Sequence, residues 1–429
     1  MCRAGKPLLH ILFMRARYMT FLFFVVFFLL VDVYLFQAVL SVSRDWQSPW
    51  QKVARIGYWI PTVVCITILV WWTVADPGRV SAQARNWMAT ALFATYFSKL
   101  FGIVFVVADD LQRGVRWVAD YFGRGSSEPL PGKAISRSEF LTRAALVATT
   151  IPFGTMAFGI ISGAHDYRVR RVKVNLPHLP RAFDGVRIAQ VSDIHAGSFF
   201  NKTAVKGGVE MVLKQRPDII FFTGDLVNNQ ASEMKEYADV FNKLHAPLGV
   251  YSVMGNHDYG DYHSWRSADE KRRNFKDLME VHRYMGYRLL MNEHVMLEEG
   301  GDRIAVIGNE NWGMRGFTKY GKLHDAYKGT EEAAVKLLLS HDPSHWDAQV
   351  TPEFPSIDIT FSGHTHGFQF GVELGDIKWS PSQYAYKQWS GLYQEGKQYL
   401  YVNRGFGYLG YPGRIGMPPE ITIMELKRA

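Results

Sequence analysis

Cysteine is scarce in this 429-residue chain, and basic runs interleaved with aromatic residues are missing. The two cysteines, Cys2 and Cys65, both lie in the first 165 residues. A disulfide framework and a thiolate metal site are therefore excluded for the rest of the chain. The net charge of +8 is modest and spread out, which argues against nucleic acid as a partner. Basic residues beside apolar segments favour membrane lipids instead.

Charge is also missing from long stretches of residues 1–165, whereas residues 166–429 have the mixed charge of a soluble domain. Three apolar stretches are long enough to cross a bilayer, which requires about 20 helical residues. A fourth stretch is richer in glycine, threonine and alanine. We expect it to be a fourth span, and the alternative is a buried helix or linker. The predicted spans cover approximately residues 19–41, 57–75, 88–108 and 144–164.

Two charged residues interrupt the predicted spans. Asp32 lies near the middle of the first span and Lys99 near the middle of the third. A charge in hydrocarbon is costly and usually faces a partner or a cavity. One hypothesis is that these two residues form an ion pair inside the membrane. The alternative is that each reaches separately toward water or a lipid head group.

The orientation of the spans is not decided by charge, because basic residues are shared almost evenly between the two sides. Residues 136–141, Ser-Arg-Ser-Glu-Phe-Leu, resemble a twin-arginine export signal in which Ser138 replaces the second arginine. On this resemblance we expect the domain of residues 166–429 to be extracytoplasmic, with the cytoplasmic side as the alternative.

The C-terminal region alternates short apolar runs with helical patterns such as residues 202–215 and 231–244. The apolar runs are rich in valine, isoleucine and aromatic residues and are bounded by polar turns, which is typical of buried strands. This alternation predicts an α/β fold with active-site residues at the carboxyl ends of the strands. The predicted strands are residues 186–191, 218–223, 249–254, 303–308, 335–340, 357–362 and 398–403.

Five of these runs end directly in a short polar cluster. The clusters are Asp193-Ile194-His195, Gly224-Asp225, Gly255-Asn256-His257-Asp258, Ser340-His341 and Gly363-His364-Thr365-His366. A carboxylate can bridge two cations, and neutral imidazole and amide groups complete the ligand shells without adding excess negative charge. A water held between two such cations ionises near neutral pH and can attack phosphorus. The five clusters together therefore predict a dinuclear metallohydrolase.

The order of these clusters resembles that of the calcineurin-like metallophosphoesterases over residues 184–429. The closing stretch, from Asn403-Arg404-Gly405 to Ile421, is similar to that of a membrane-associated branch. This branch includes bacterial exported phosphoesterases and the transmembrane protein with metallophosphoesterase domain. The resemblance implies a four-layer α/β/β/α sandwich, preceded here by the transmembrane helical region of residues 1–165.

The resemblance also implies the ligands of two divalent metal ions, expected to be Mn, Fe or Zn. The second metal would be held by Asn256, His341 and His364 together with a bridging Asp225. His257 would contact the phosphoryl group as an acid or charge stabiliser, and Asp258 would orient it. The first metal would be held by Asp193, His195 and His366 with the same Asp225.

The sequence indicates the residues that recognise the substrate less clearly than it indicates the metal ligands. Arg414, in a glycine-rich loop, is a candidate for substrate binding because arginine suits oxyanions, and the alternative is pairing with Glu420 or solvent. The aromatic-rich residues 368–396 and the charged residues 261–284 are candidates for shaping access. The aromatic segment is expected either to form a lid or dip into the head-group layer, or to pack over the sheet edge.

The preferred function is a membrane-bound phosphoesterase acting on a phosphomonoester, phosphodiester or pyrophosphate, with a lipid-linked or membrane-adjacent substrate. One alternative is a cytoplasm-facing enzyme of lipid A synthesis like the UDP-2,3-diacylglucosamine pyrophosphatases. Another is a non-catalytic scaffold, which predicts missing ligands, and none is missing. The last is a transport or sensing protein whose function lies in the spans, for which Asp32 and Lys99 are the only indications.

Overall fold

The structure is a computed structural model that describes residues 6–74, 80–122, 137–375 and 377–429. The chain divides into two compact units, Met1–Ala157 and Phe158–Ala429. Ala75, the last residue of the second predicted span, and Ser136, the first residue of the export-like motif, lie outside the described residues.

In the part of the chain that the structure describes, four long helices precede the first strand. Each shares most of its length with a segment long and apolar enough to cross a membrane, and these segments are Tyr18–Val42, Ser48–Val74, Gln83–Ala119 and Glu139–His165. Pro61 and Pro152 lie inside the second and fourth helices. The expectation of four apolar helices, including the fourth, is confirmed. The helices are α1 (Lys6–Val42), α2 (Ser48–Val74), α3 (Ala82–Phe122) and α4 (Arg137–Ile161).

Asp32 of α1 and Lys99 of α3 form a buried ion pair, so the pairing hypothesis is confirmed. The Lys99 Nζ also donates to Thr62 Oγ1 at 3.2 Å. Two tyrosines complete the polar cluster, because Tyr96 donates to Asp32 Oδ2 at 3.0 Å and Tyr58 to the Asp32 carbonyl at 2.9 Å. Every charge in this part of the helix bundle therefore has a partner of opposite charge or a hydrogen bond, as burial requires.

The second unit contains two six-stranded sheets. In the first, all neighbouring strands are parallel except the second and third of the sheet, which are antiparallel. Its order is β1 (Arg168–Leu176), β14 (Glu420–Arg428), β2 (Arg187–Val191), β3 (Ile219–Phe222), β4 (Val250–Ser252) and β5 (Arg288–Leu289).

The second sheet has a parallel centre and antiparallel edges. Its order is β12 (Gly391–Glu395), β13 (Gln398–Val402), β9 (Ile359–Ser362), β8 (Val335–Leu339), β7 (Asp302–Gly308) and β6 (Glu293–Glu299). A separate antiparallel hairpin is formed by β10 (Val372–Leu374) and β11 (Ile377–Trp379). All seven predicted strands are confirmed within two residues at each end.

The main core lies between the two sheets. Phe221 of β3 packs there with Leu337 of β8 and Phe361 of β9, and all three are fully buried. The alternate residues of β3, Ile220 and Phe222, face the helices on the other side, because side chains alternate across a strand. Strands buried on both faces need apolar residues at every position, which explains their continuous apolar runs.

Helices cover the outer face of each sheet, so the predicted four-layer α/β/β/α sandwich is confirmed. The pattern at 202–215 forms one helix, whose first turn is capped by Asn201. The helical pattern at 231–244 forms two short helices, a 3₁₀ helix, Ala231–Glu236, and one turn of α-helix. The helices are α5 (Lys202–Lys214), α6 (Ala238–Phe241), α7 (Ala268–Tyr284), α8 (Leu323–Tyr327) and α9 (Thr351–Glu353).

Candidate metal centre

Six of the predicted ligands meet in two buried groups after β2, β3, β8 and β9. Within each group the donor atoms lie within 4.8 Å of one another. The groups are Asp193, His195 and His366, and Asp225, His341 and His364. Asn256, which follows β4, adjoins the second group, because its Oδ1 lies 2.8 Å from His364 Nδ1. The structure thus brings all seven predicted ligands together.

Asp225 lies between the two groups. Its Oδ2 is 3.4 Å from His195 Nε2 and 3.1 Å from His341 Nε2. The opposite ring nitrogens are already engaged, since His341 Nδ1 donates to the Thr223 carbonyl at 2.8 Å and His195 Nδ1 lies 3.1 Å from Asn228 Oδ1. When both imidazoles are neutral, three acceptor atoms therefore converge in a site that is buried from solvent. Such a donor set fits cations, which satisfy all three at once.

The charge states of the groups agree with this fit. Burial opposes protonation of His341, but the carboxylates of Asp225 and Asp193 raise its pKa to about 10. Burial also raises the pKa of Asp193 to about 6 and lowers that of His195 to about 3. Burial alone would raise the pKa of Asp225, yet the imidazoles of His341 and His257 hold it well below its usual value. Positive charge is therefore favoured between these carboxylates.

The backbone at the candidate ligands is strained. Left-handed conformations of residues other than glycine cost about 1 to 3 kcal/mol where side-chain packing must enforce them, and they cluster at functional sites. Among the described residues nine such positions occur, and five of them are candidate ligands. These five are Asp193 (φ 52°), His195 (φ 48°), Asp225 (φ 58°), His364 (φ 71°) and His366 (φ 52°).

Two glycines let the clusters approach each other. A Cβ atom on Gly255 would lie 2.2 Å from Asp225 Oδ1, and one on Gly363 would lie 2.2 Å from Asp193 Oδ2. Both distances are far below van der Waals contact, so any side chain at these positions would displace a candidate ligand. The glycines in the Gly-Asn-His-Asp and Gly-His-Thr-His clusters are therefore explained by close approach.

His257 lies at the edge of the metal centre and is only partly buried. Its Nδ1 donates to the Asn228 carbonyl at 2.8 Å, and its ring packs against Tyr262 at 4.7 Å between centroids. Because a carbonyl can only accept, this hydrogen bond assigns the Nδ1 hydrogen and leaves Nε2 as the nitrogen available to a substrate. The backbone N–H of His257 donates to Asp225 Oδ1 at 2.9 Å, which ties it to the shared carboxylate.

Asp258 supports the backbone of the site. Its Oδ2 accepts the N–H groups of Asp225 and Gly255, each at 2.9 Å. Its Oδ1 accepts those of Leu226 at 2.8 Å and Val227 at 3.2 Å. Burial, reinforced by the Asp225 carboxylate, raises the pKa of Asp258 to about 7. These contacts differ from the predicted role: Asp258 positions the Asp225 loop, and the Asn228 carbonyl orients His257.

Arg414 is buried behind His366 rather than facing solvent. Its Nη2 donates to the Arg404 carbonyl at 2.8 Å and lies 3.2 Å from His366 Nδ1, and its Nε donates to the Gly407 carbonyl at 2.9 Å. The guanidinium is thus engaged by backbone acceptors. This placement does not support the predicted phosphate contact, and it makes Arg414 a positioning residue for His366.

Several residues of the site were not predicted from the sequence. Asn228 contacts two imidazoles at once, His195 through its side chain and His257 through its carbonyl. The Tyr386 hydroxyl lies 2.7 Å from His364 Nε2, and the Phe317 ring contacts the His364 ring edge to face at 5.0 Å. Tyr386 belongs to the aromatic segment that was expected to shape access to the site. That expectation is the one feature of the sequence that pointed to this residue.

Comparisons with known proteins agree with this geometry. Residues 186–368 match the family described as calcineurin-like phosphoesterase, and residues 15–164 match the probable calcineurin-like phosphoesterase transmembrane domain. The uncharacterized metallophosphoesterase YkuE of Bacillus subtilis is 30% identical over 316 residues, which cover 69% of this chain and 99% of that protein.

Two further relatives have more specific names. The transmembrane protein with metallophosphoesterase domain of Danio rerio is 29% identical over 317 residues, covering 70% of this chain and 68% of that protein. The UDP-2,3-diacylglucosamine pyrophosphatase LpxG of Chlamydia trachomatis is 28% identical over 307 residues, covering 60% of this chain and 88% of that protein.

Proposed function

The chain belongs to the calcineurin-like metallophosphoesterases, and from this premise we propose that it is a membrane-bound hydrolase with two metal ions. It acts on a phosphomonoester, a phosphodiester or a pyrophosphate in a lipid-linked or membrane-adjacent substrate. The observation that carries the proposal is the pair of buried ligand groups with Asp225 between them and His257 at their edge.

The residues divide into ligands and positioning groups. Asp193, His195 and His366 would hold one cation, and Asn256, His341 and His364 the other, with Asp225 shared. When bound, the two cations supply Lewis acidity toward a phosphoryl oxygen and a nucleophile that is ionised near neutral pH. Mn, Fe and Zn all suit this mixed oxygen and imidazole donor set.

His257 is the proposed catalytic residue. With Nδ1–H held by the Asn228 carbonyl, the imidazolium presents Nε2–H to an oxygen of the substrate and can donate that proton to the leaving group. Tyr262 packs on the ring and limits its rotation. Asp258 holds the loop of Asp225 through four backbone N–H groups, so it acts through the shared ligand.

A glycolipid nucleotide is the second candidate substrate. The relative named UDP-2,3-diacylglucosamine pyrophosphatase supports it, since that substrate is both lipid-linked and a pyrophosphate. This alternative requires the domain to face the cytoplasm. The export-like motif at 136–141 supports the opposite, extracytoplasmic placement, which we prefer. A non-catalytic scaffold is disfavoured because no ligand position is lost.

The proposed enzymatic activity is tested by Mn²⁺-dependent hydrolysis of bis(p-nitrophenyl) phosphate by the full-length protein in detergent. Wild type is expected to be active, and Asp225→Asn is expected to lose activity because both cations share this carboxylate. Equal rates for the two proteins would refute the proposal. Protease accessibility of the C-terminal domain in spheroplasts decides between the two substrate settings, since digestion from outside requires the extracytoplasmic placement.

A further inference from the structure

The hairpin of β10 and β11 has its polar and apolar faces reversed relative to an ordinary surface hairpin. The cross-strand pairs are Val372 with Trp379 and Leu374 with Ile377, and all four side chains face solvent. Leu374 is 69% exposed and Ile377 68% exposed. Contiguous apolar exposure of this kind marks an interaction surface in soluble domains. We call these four residues the apolar hairpin face.

The opposite face of the hairpin is charged and is turned toward the protein. Glu373 accepts from Arg404 Nη1 at 2.8 Å and from Arg170 Nη1 at 3.3 Å. Lys378, its cross-strand partner, donates to the Ser390 carbonyl and lies over the Trp389 ring at 4.7 Å. A shift of one residue in register would exchange the two faces and break these contacts. The outward direction of the apolar side chains is therefore built into the fold.

The base of the hairpin joins the end of the fourth candidate span. Ile415 pairs with the strand entering the hairpin, since its N–H donates to the Gln369 carbonyl at 2.8 Å and its carbonyl accepts from Gly371 at 2.9 Å. The preceding residue, Arg414, donates its N–H to the Gly159 carbonyl at 3.1 Å. A Cβ atom on Gly163 would lie 2.0 Å from the Arg414 carbonyl oxygen, so the two segments are in direct contact.

Gly159 and Gly163 belong to the candidate span Glu139–His165. They also belong to the same compact unit as the hairpin. A surface that contacts the end of a span lies at the level of the head groups. Two exposed rings, Phe370 and Tyr384, contact Trp379 of the apolar hairpin face and are of the kind that occupies this interface.

We propose that the apolar hairpin face inserts into the interfacial layer of the membrane that contains the end of α4. The candidate ligand His366 lies six residues before Val372, and the chain between them turns through the left-handed residues Gly367 and Phe368. Docking of the hairpin holds this edge of the metal centre at the lipid surface. The inference that the substrate is then taken from the bilayer rests on the proposed function, but the docking itself does not.

The test uses the full-length protein with Cys2→Ser and Cys65→Ala, so that one introduced cysteine carries an environment-sensitive nitrobenzoxadiazole label. Leu374→Cys probes the hairpin. Tyr284→Cys, at the end of α7, is a matched control with 62% exposure. In nanodiscs of phosphatidylcholine and phosphatidylglycerol, only the label at 374 is expected to shift to shorter wavelength and to be quenched by doxyl-labelled lipids.

Each other outcome overturns the proposal. If the label at 374, like the label at 284, shows neither a shift to shorter wavelength nor quenching, the hairpin stays in water. A shift to shorter wavelength without quenching by doxyl lipids means that a second copy of the chain, or another protein, covers the face.

A kinetic measurement separates docking from the proposed function. With Leu374→Asp and Ile377→Asp together, KM for a phosphodiester embedded in the bilayer is expected to rise roughly tenfold, while hydrolysis of the soluble diester stays unchanged. If the double variant keeps full activity on both substrates, the hairpin has no role in substrate capture. Inactivity of the wild type on both substrates would refute the proposed function and leave the fluorescence result standing.

Discussion

Replacement of Asp258 by asparagine tests whether this carboxylate supports the metal centre or orients His257. The two side chains have the same shape, but the amide offers one acceptor oxygen where the carboxylate offers two. Each oxygen of Asp258 accepts two backbone N–H groups, so asparagine turns its NH₂ toward two buried donors. At a pH above the Asp258 pKa of about 7 the carboxylate is charged. Hydrogen bonds to a charged group contribute about 1.5 to 3 kcal/mol each, which predicts a loss of about 3 to 6 kcal/mol in stability of the loop under those conditions.

This loop carries Asp225, so the loss is expected to reach the metal ions. Substitutions behind metal ligands typically cost about 10- to 100-fold in affinity, and we expect Asp258→Asn to weaken Mn²⁺ binding by that factor. Isothermal titration of the metal-free, full-length protein measures the affinity, and thermal unfolding with excess chelator measures the stability. Asp218→Asn is the matched control, because Asp218 accepts one backbone N–H, that of Arg187 at 2.8 Å, away from the centre.

A role of Asp258 in orienting His257 predicts a different result. If Asp258 acts by orienting His257, then Asp258→Asn lowers kcat as His257→Asn does and leaves Mn²⁺ affinity within about twofold of wild type. That outcome would refute the role assigned from the backbone contacts, since the contacts of the carboxylate lie on the Asp225 loop and not on the imidazole.

Three further predictions concern single groups. His257→Asn is expected to lower kcat by about 10²- to 10⁴-fold with unchanged Mn²⁺ affinity, measured beside His245→Asn as an exposed control; weakened metal binding would contradict this. Tyr386→Phe removes the hydroxyl at His364 Nε2 and is expected to weaken one of two Mn²⁺ sites about 10- to 100-fold, whereas Tyr384→Phe should not. Lys99→Met leaves Asp32 buried without its cation, so we expect it to lower the free energy of unfolding, measured in sodium dodecyl sulfate, by about 3 to 5 kcal/mol. Adding Asp32→Asn should recover much of this loss. A double variant as unstable as Lys99→Met would argue against the pair.

The strands and most of the metal centre could be predicted because their signals are local. A strand buried on both faces must be apolar at each position, and a ligand that follows it interrupts the run with a carboxylate or an imidazole. The helical pattern at 231–244 forms two short helices, and the first of them contacts the loop that precedes it. Glu233 turns back and accepts the N–H groups of Asn228 at 2.6 Å and Gln230 at 3.1 Å, so this segment caps the loop of Asn228. The spacing of apolar residues does not indicate this contact.

The edge of the first sheet was likewise beyond local reasoning. β1 alternates arginine and lysine with valine and leucine, and it pairs with β14, about 250 residues later in the chain. Such pairing depends on the closure of the whole domain, and neither segment was predicted as a strand.

The sequence by itself determined the kind of centre, because the types and order of the ligands are written beside the strands that carry them. It also located Asp32 and Lys99, since a charge within an apolar stretch is visible without a structure. The tertiary structure alone decided what the supporting residues do. Asp258 holds a loop, Asn228 orients His257, Arg414 lies behind His366, and the hairpin turns its apolar face outward. These roles depend on the directions of carbonyls, N–H groups and side chains brought together from distant segments, which only the folded backbone sets.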